Sequence, residues 1–246
     1  DIGNTNIVIG IFFNKKINKI MRLDCKNINL INNIKKNFSS KNIPKLKIDR
    51  KICIISSVST YFTKEIINIF KMVNFKILNI NLNNISNKIK FKYKANELGA
   101  DRIANTFSAI NKYGKNLIVV DFGTATTFDL IIKGIYEGGL IAPGINISHD
   151  ALVNNAFKLK KISIIPVKKL IGINTKHSMQ SGFYYGYLSL IDGILKKIIM
   201  EKKIKPKIVI TGGLAEIFLK ELEFKTYYDP NLTLHGLYLI GMQKYA

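Results

Sequence analysis

Residues 1–11 read DIGNTNIVIGI and residues 121–131 read DFGTATTFDLI. Each stretch carries a carboxylate, a glycine two residues on, small hydroxyl or amide side chains, and then an apolar run suited to a strand. Asp-x-Gly-[Asn/Thr] at a strand end is a tight turn whose N–H groups and hydroxyls can face an anion, with the carboxylate free for a cation or a water. One such turn is an ordinary connection between strands. Two, each heading one half of the chain, describe a duplicated unit closing on a ligand. A third acid lies in the run Gly99-Ala100-Asp101-Arg102. Near the start of a helix its ionised form is favoured by N–H groups, as a proton acceptor requires. Arg102 beside it offers a fixed fork of donors to a carboxylate or phosphate. Taken alone, the pair also reads as an ordinary charge pair at a helix start.

The elements that must position these residues follow from apolar periodicity. Residues 6–13 make a buried strand and 17–23 pair back through the Asn14-Lys15-Lys16 turn. Residues 28–38 suit a helix, 42–51 a loop around Pro44, and 52–58 an inner strand whose Ser56-Ser57 end orients a ligand or caps the next helix. A helix over 63–72 with Thr63 as cap and a strand over 75–80 complete a strand-helix-strand unit. The alternation in 89–93 allows an edge strand, and 97–113 is helical with Gly114 as its stop. Residues 117–120 then deliver Asp121 to the second turn, and 124–132 with 136–141 repeat the hairpin layout. Two domains are expected, 1–113 and 114–246. In the second, Pro143-Gly144 forms a corner before a helix over 145–159. A long helix over 178–203 has Gly182, Gly186 and Gly193 for close approach of neighbouring backbones, and 160–175 is irregular. A strand over 207–211, a short helix over 214–221 and a final helix over 232–244 end the chain.

The formal charge is +22, with a pI near 9.9. Such an excess raises the question of nucleic acid or anionic membrane. The lysines, however, are spread through Asn- and Ile-rich stretches and accompany no zinc-finger spacing, helix-turn-helix or aromatic-basic motif, so neither partner is expected. Apolar runs are broken well before 18 residues, which argues against a transmembrane helix. Cys25 and Cys53 are isolated and read as reduced thiols, and the cytoplasm is the expected location. His149, His177 and His235 lack a metal-binding spacing. There is no Gly-x-x-x-x-Gly-Lys-[Ser/Thr] loop and no Gly-x-Ser-x-Gly elbow. Only Ile2 separates Asp1 from Gly3, so the strand expected to lead into the first turn lies outside the sequence.

With both turns in hand, the chain resembles the type III pantothenate kinases. The matching pieces are DIGNTN at 1–6, ELGADRIAN at 97–105, VVDFGTATTFDLI at 119–131, GGLIAPGI at 138–145, NT at 174–175, TGGLA at 211–215 and LTLHGLYLIG at 232–241. They run in order along nearly the whole chain. The resemblance implies an α/β fold of two duplicated ribonuclease-H-like, actin-like domains with mixed sheets flanked by helices. It also implies a homodimer that phosphorylates pantothenate with ATP in the first step of coenzyme A synthesis, using magnesium and a monovalent cation, potassium or ammonium.

The roles implied by the resemblance can be set residue by residue. Asp101 is the base that orients and deprotonates the pantothenate hydroxyl. Asp1 holds magnesium, directly or through water, while Gly3, Asn4, Thr5 and Asn6 wrap the phosphates and Ile2, Ile7 and Val8 complete that loop; hard oxygen ligands suit the ion. Asp121 matches the monovalent-cation acid and Thr124 an ATP contact. Gly212 and Gly213 let adenine approach the backbone. Gly99, Ala100, Asp101, Arg102, Thr175 and Tyr93 match pantothenate contacts, although Tyr93 sits one residue closer to Gly99 than the family pattern has it. A nucleotide-binding accessory protein of the same fold, another small-molecule kinase of the superfamily, and a nucleic-acid-binding protein are the competing readings.

Overall fold

The computed structural model describes residues 1–43, 50–85, 89–94 and 96–245. In chain order the elements are β1 (Asn6–Phe13), β2 (Lys16–Asp24), α1 (Leu30–Asn37), β3 (Ile52–Ile55), α2 (Thr60–Met72), β4 (Lys76–Asn79) and α3 (Ala100–Tyr113). They continue with β5 (Leu117–Phe122), β6 (Ala125–Ile132), β7 (Ile135–Pro143), α4 (Ile145–Asn155), α5 (Thr175–Lys202), β8 (Lys207–Thr211), β9 (Thr226–Tyr228) and α6 (Leu232–Tyr245). The loop expected around Pro44 falls outside the described residues.

The chain divides into two compact units, one of Asp1–Ser108 with Asn231–Ala246 and one of Ala109–Pro230. The division expected after Tyr113 puts the last helix with the second half, whereas α6 packs on β1 and β3 of unit 1. The cause is steric. A Cβ on Gly236 would strike the backbone of Ala104 in α3, and one on Gly241 would strike Ile54 of β3, so both glycines let α6 lie close. Thr233 adds a 2.8 Å hydroxyl bond to the Asn105 Oδ1. By contrast, a Cβ on Gly182, Gly186 or Gly193 of α5 meets nothing within 4 Å, so the close approach expected there is absent among the described residues.

In unit 1, β1 and β2 form an antiparallel hairpin, and β3 and β4 a parallel pair connected by α2. The hairpin closes through Asn14 and Lys15, both with positive φ (50° and 64°), the conformation that matches the twist of paired strands. Ile7, Ile34, Ile55, Ile66 and Phe70 form the core between these pairs and α1 and α2. Ser59, not Thr63, caps α2, accepting from the Phe62 N–H; Thr63 instead hydrogen bonds to Ser57. Residues 89–93, expected as an edge strand, form no strand among the described residues; Phe91 alone makes a β-bridge.

Unit 2 holds a five-stranded mixed sheet in the order β7-β6-β5-β8-β9. Strand β5 runs antiparallel to β6 and parallel to β8. Leu117–Val120 are fully buried, as a continuous apolar run at a sheet centre requires. Lys133 and Gly134, both at positive φ, repeat the turn chemistry of the first hairpin. Helix α5 lays Tyr184, Tyr187, Leu188 and Ile191 into the core with Phe128 and Phe218. It begins at Thr175, earlier than expected, because Asn174 caps it by accepting the His177 N–H at 2.9 Å. The short helix expected at 214–221 is a single 3-10 turn at Ala215–Ile217. Ala215 and Phe218, three apart and both fully buried, suit three residues per turn.

Candidate active site

The first turn is framed by backbone pairing, and the Cys25 thiol donates to the Gly3 carbonyl at 3.6 Å. Asp1 and Val8 exchange two hydrogen bonds of 2.8 Å, and the Gly3 N–H donates to the Asn6 carbonyl at 3.0 Å. Asn4 and Thr5 are left as an exposed two-residue tip. A Cβ on Gly3 would lie 3.1 Å from the Asn6 oxygen, so a larger residue would crowd the turn. Ile2 and Ile7 point into the core, and what they and Val8 give the turn is its strand frame. Of the Ser56-Ser57 pair, Ser56 accepts the Ile2 N–H on its carbonyl at 2.8 Å and so ties the turn to the end of β3.

Also in unit 1, Asp101 occupies the first turn of α3. Its Oδ1 accepts the Arg102 N–H at 2.8 Å. A Cβ on Gly99 would stand 2.5 Å from that same oxygen, so glycine is what leaves the carboxylate its place. Ala100 starts the helix and is buried. Arg102 is buried, with its guanidinium 5.8 Å from the ring centroid of Tyr93, which brings together two of the residues matched to pantothenate.

In unit 2, Asp121 is the penultimate residue of β5, opposite Thr127 of β6 and beside Thr211 of β8. Directly paired residues share a sheet face, so these three oxygen-bearing side chains form a row. The Thr127 hydroxyl is buried with no hydrogen-bond partner among the described residues. An all-oxygen set with one uncommitted hydroxyl fits a hard cation. Thr124 lies in the turn, where its carbonyl accepts the Gly144 N–H at 3.2 Å; a Cβ on Gly144 would run into that carbonyl. The Pro143 carbonyl beside it accepts the Tyr187 hydroxyl at 2.5 Å. Gly212 has φ +97° and packs 2.5 Å, measured from where its Cβ would be, from the backbone of Phe122, so the β8 turn hugs the end of β5; Gly213 follows on that turn. Thr175 lies apart from this turn, at the start of α5 in a groove of about 820 Å³ lined also by Leu152, Gly172 and Phe183.

Sequence reading missed Thr127, Thr211 and Tyr187. The threonines are ordinary strand residues until register sets them beside Asp121, and Tyr187 is one of several tyrosines in α5. Among the described residues no group of three or more His, Cys, Asp or Glu side chains is placed to hold a metal. His149 is buried, accepts the Ile162 N–H on Nε2 at 3.2 Å and packs edge-on against Phe183.

The mixed β-sheet flanked by helices has the fold of the actin-like ATPases and sugar kinases. A ROK family glucokinase from Streptomyces griseus, solved with glucose and AMPPNP, matches this fold with TM-score 0.54 at 11% identity over 98% of each chain. The activator of 2-hydroxyisocaproyl-CoA dehydratase from Clostridium difficile, with bound ADPNP, matches with TM-score 0.51 at 9% identity, over 100% of this chain and 94% of its own. The family model for type III pantothenate kinase matches residues 1–197. A type III pantothenate kinase of Persephonella marina is 42% identical over 97% of this chain and 95% of its own length. The Pelagibacter ubique protein of that name is 36% identical over 96% and 95%. The chain belongs to the type III pantothenate kinase family.

Proposed function

We propose that this kinase phosphorylates pantothenate from ATP with Asp101 as the base and with the two Asp-Gly turns serving the nucleotide. Membership of the family carries the reaction: transfer of a phosphoryl group to the pantothenate hydroxyl, the first step of coenzyme A biosynthesis. The observation that carries the role of Asp101 is the fit of its carboxylate against Gly99 and the Arg102 N–H, which fixes one oxygen and leaves the other to receive a proton.

In this reading the 4′-hydroxyl of pantothenate gives its proton to Asp101 as its oxygen bonds to the γ-phosphorus, and the bond from that phosphorus to the bridging oxygen breaks to release ADP. Arg102, stacked near Tyr93, holds the acceptor's carboxylate. Gly3, Asn4, Thr5 and Asn6 take phosphate oxygens, and Asp1 is the ligand for magnesium, which neutralises phosphate charge when bound. Asp121 with Thr127 takes the monovalent cation, Thr124 touches ATP, Gly212 and Gly213 border adenine, and Thr175 contacts pantothenate.

The enzyme is also read as a cytoplasmic homodimer. The fully exposed Phe157 and Ile173, with Leu170 and Ile171 between them, are apolar residues that a second copy would cover. Free Cys25 and Cys53 fit a reducing compartment. Among the described residues no helix is long and apolar enough to cross a membrane. The direct test is ADP release with and without pantothenate, first in potassium and then in sodium. Release that depends on pantothenate and is faster in potassium is expected; equal release without the acceptor would favour a nucleotide-binding accessory protein.

A further inference from the structure

The turn after β5 closes on itself through the Gly123 N–H, which donates to the Ala125 carbonyl at 3.1 Å. A second bond reaches it from the end of β7, where the Gly144 N–H donates to the Thr124 carbonyl at 3.2 Å. Gly144 shares a peptide unit with Pro143, which stands opposite Ala125 in the ladder. A trans peptide is planar and points its carbonyl and its N–H in opposite directions. The Pro143 carbonyl therefore faces away from Thr124, and on that side it accepts the Tyr187 hydroxyl at 2.5 Å. One rigid plane thus runs from a side chain of α5 to the backbone of the turn.

The Tyr187 ring is buried and stacks on Phe218 with centroids 6.2 Å apart, so packing already holds the phenol in reach of Pro143. A carbonyl can only accept, so Tyr187 is the donor there, and the Ser148 hydroxyl 3.1 Å away donates to the phenol oxygen. Burial raises the Tyr187 pKa above the ordinary tyrosine value, which keeps the donated proton in place at neutral pH. Ser148, Tyr187, the Pro143–Gly144 peptide and Thr124 form one series in which each hydrogen bond polarises the next. Pro143 itself is exposed. Without the phenol its carbonyl turns to water, and the same rotation carries the Gly144 N–H off Thr124.

We propose that Tyr187 is a positioning residue for the nucleotide: through the Pro143–Gly144 peptide it fixes the Thr124 carbonyl, and with it the shape of the turn that meets ATP. The assignment rests on the reading of that turn as one that serves the nucleotide.

Tyr187→Phe removes the hydroxyl and keeps the ring. It is compared with Tyr184→Phe, which takes a hydroxyl from the neighbouring ring on Phe218, and with Thr124→Ala. Calorimetry with a non-hydrolysable ATP analogue and steady-state ADP release are followed in each. Tyr187→Phe is expected to weaken the analogue and to raise the KM for ATP by about five- to tenfold, the worth of one hydrogen bond, while the KM for pantothenate stays within about twofold. Tyr184→Phe should change none of these, and Thr124→Ala should also weaken the analogue. Wild-type affinity in Tyr187→Phe beside a weakened Thr124→Ala overturns the positioning role alone. An unweakened Thr124→Ala overturns the reading of the turn, and the positioning role with it. Equal weakening by Tyr187→Phe and Tyr184→Phe, or a lower kcat in Tyr187→Phe with both KM values unchanged, marks a general loss of packing and likewise overturns the proposal.

Discussion

Replacing Gly99 with alanine tests how Asp101 is held without touching its chemistry. The new Cβ would lie 2.5 Å from Asp101 Oδ1, against ordinary contacts that begin at 3.4 Å, so the carboxylate must retreat by about 0.9 Å. That oxygen accepts the Arg102 N–H at 2.8 Å, and the retreat gives up this bond. A hydrogen bond to a charged group is worth about 1.5–3 kcal/mol, and a misplacement of about 1 Å at a reacting group costs roughly 100-fold in rate. Gly99→Ala is therefore expected to lower kcat for pantothenate by about 30- to 100-fold. Binding of a non-hydrolysable ATP analogue should change little, because Gly99 lies on the acceptor side in this account. Steady-state ADP release gives the first quantity and calorimetry the second. Turnover within about threefold of wild type would refute the idea that the Asp101 position governs transfer.

Other substitutions probe the frame and the cation. Gly236→Ala, which drives a methyl into the Ala104 backbone, is expected to cost about 1–3 kcal/mol in urea unfolding, while Gly186→Ala, with open space around it, should gain up to about 1 kcal/mol; effects of the same sign would contradict the packing described. Asp121→Asn and Thr127→Val should each remove the difference between potassium and sodium in the rate of ADP release, and a rate that still distinguishes the two ions would remove this pair from the cation site. Burial, ahead of the nearby Glu223 charge, raises the pKa of Asp192 above 3.8, so the folded chain holds that proton more tightly than the unfolded one. Its contribution to stability therefore declines as pH rises from 3.8 through the raised value. Asp192→Asn should flatten that part of the stability profile, and an unchanged slope would disprove the assignment.

Local chemistry was legible wherever one residue type decides a conformation. Asn14-Lys15 marked the first hairpin turn, the apolar run at Leu117–Val120 marked a central strand, and Pro143-Gly144 marked a corner where a side chain on the glycine would strike the Thr124 backbone. The likeness of the two Asp-Gly turns was likewise plain from their repetition. What escaped depends on partners distant in sequence. Periodicity finds α6 but does not say which sheet it covers; that follows from Ala104 and Ile54, which Gly236 and Gly241 touch. Glycines in α5 gave the same sequence signal with no neighbour to approach. Thr127 and Thr211 join the site only through strand register, and β9, three residues long, is too short to show a period.

The central claim is that Asp101 takes the proton from the acceptor hydroxyl, and Asp101→Asn tests it most directly. The amide keeps the shape and the oxygen facing the Arg102 N–H but is no base. In ADP release with saturating pantothenate, the variant should lose transfer by about 100-fold or more while its binding of an ATP analogue persists. Transfer at the wild-type rate by Asp101→Asn would contradict the account.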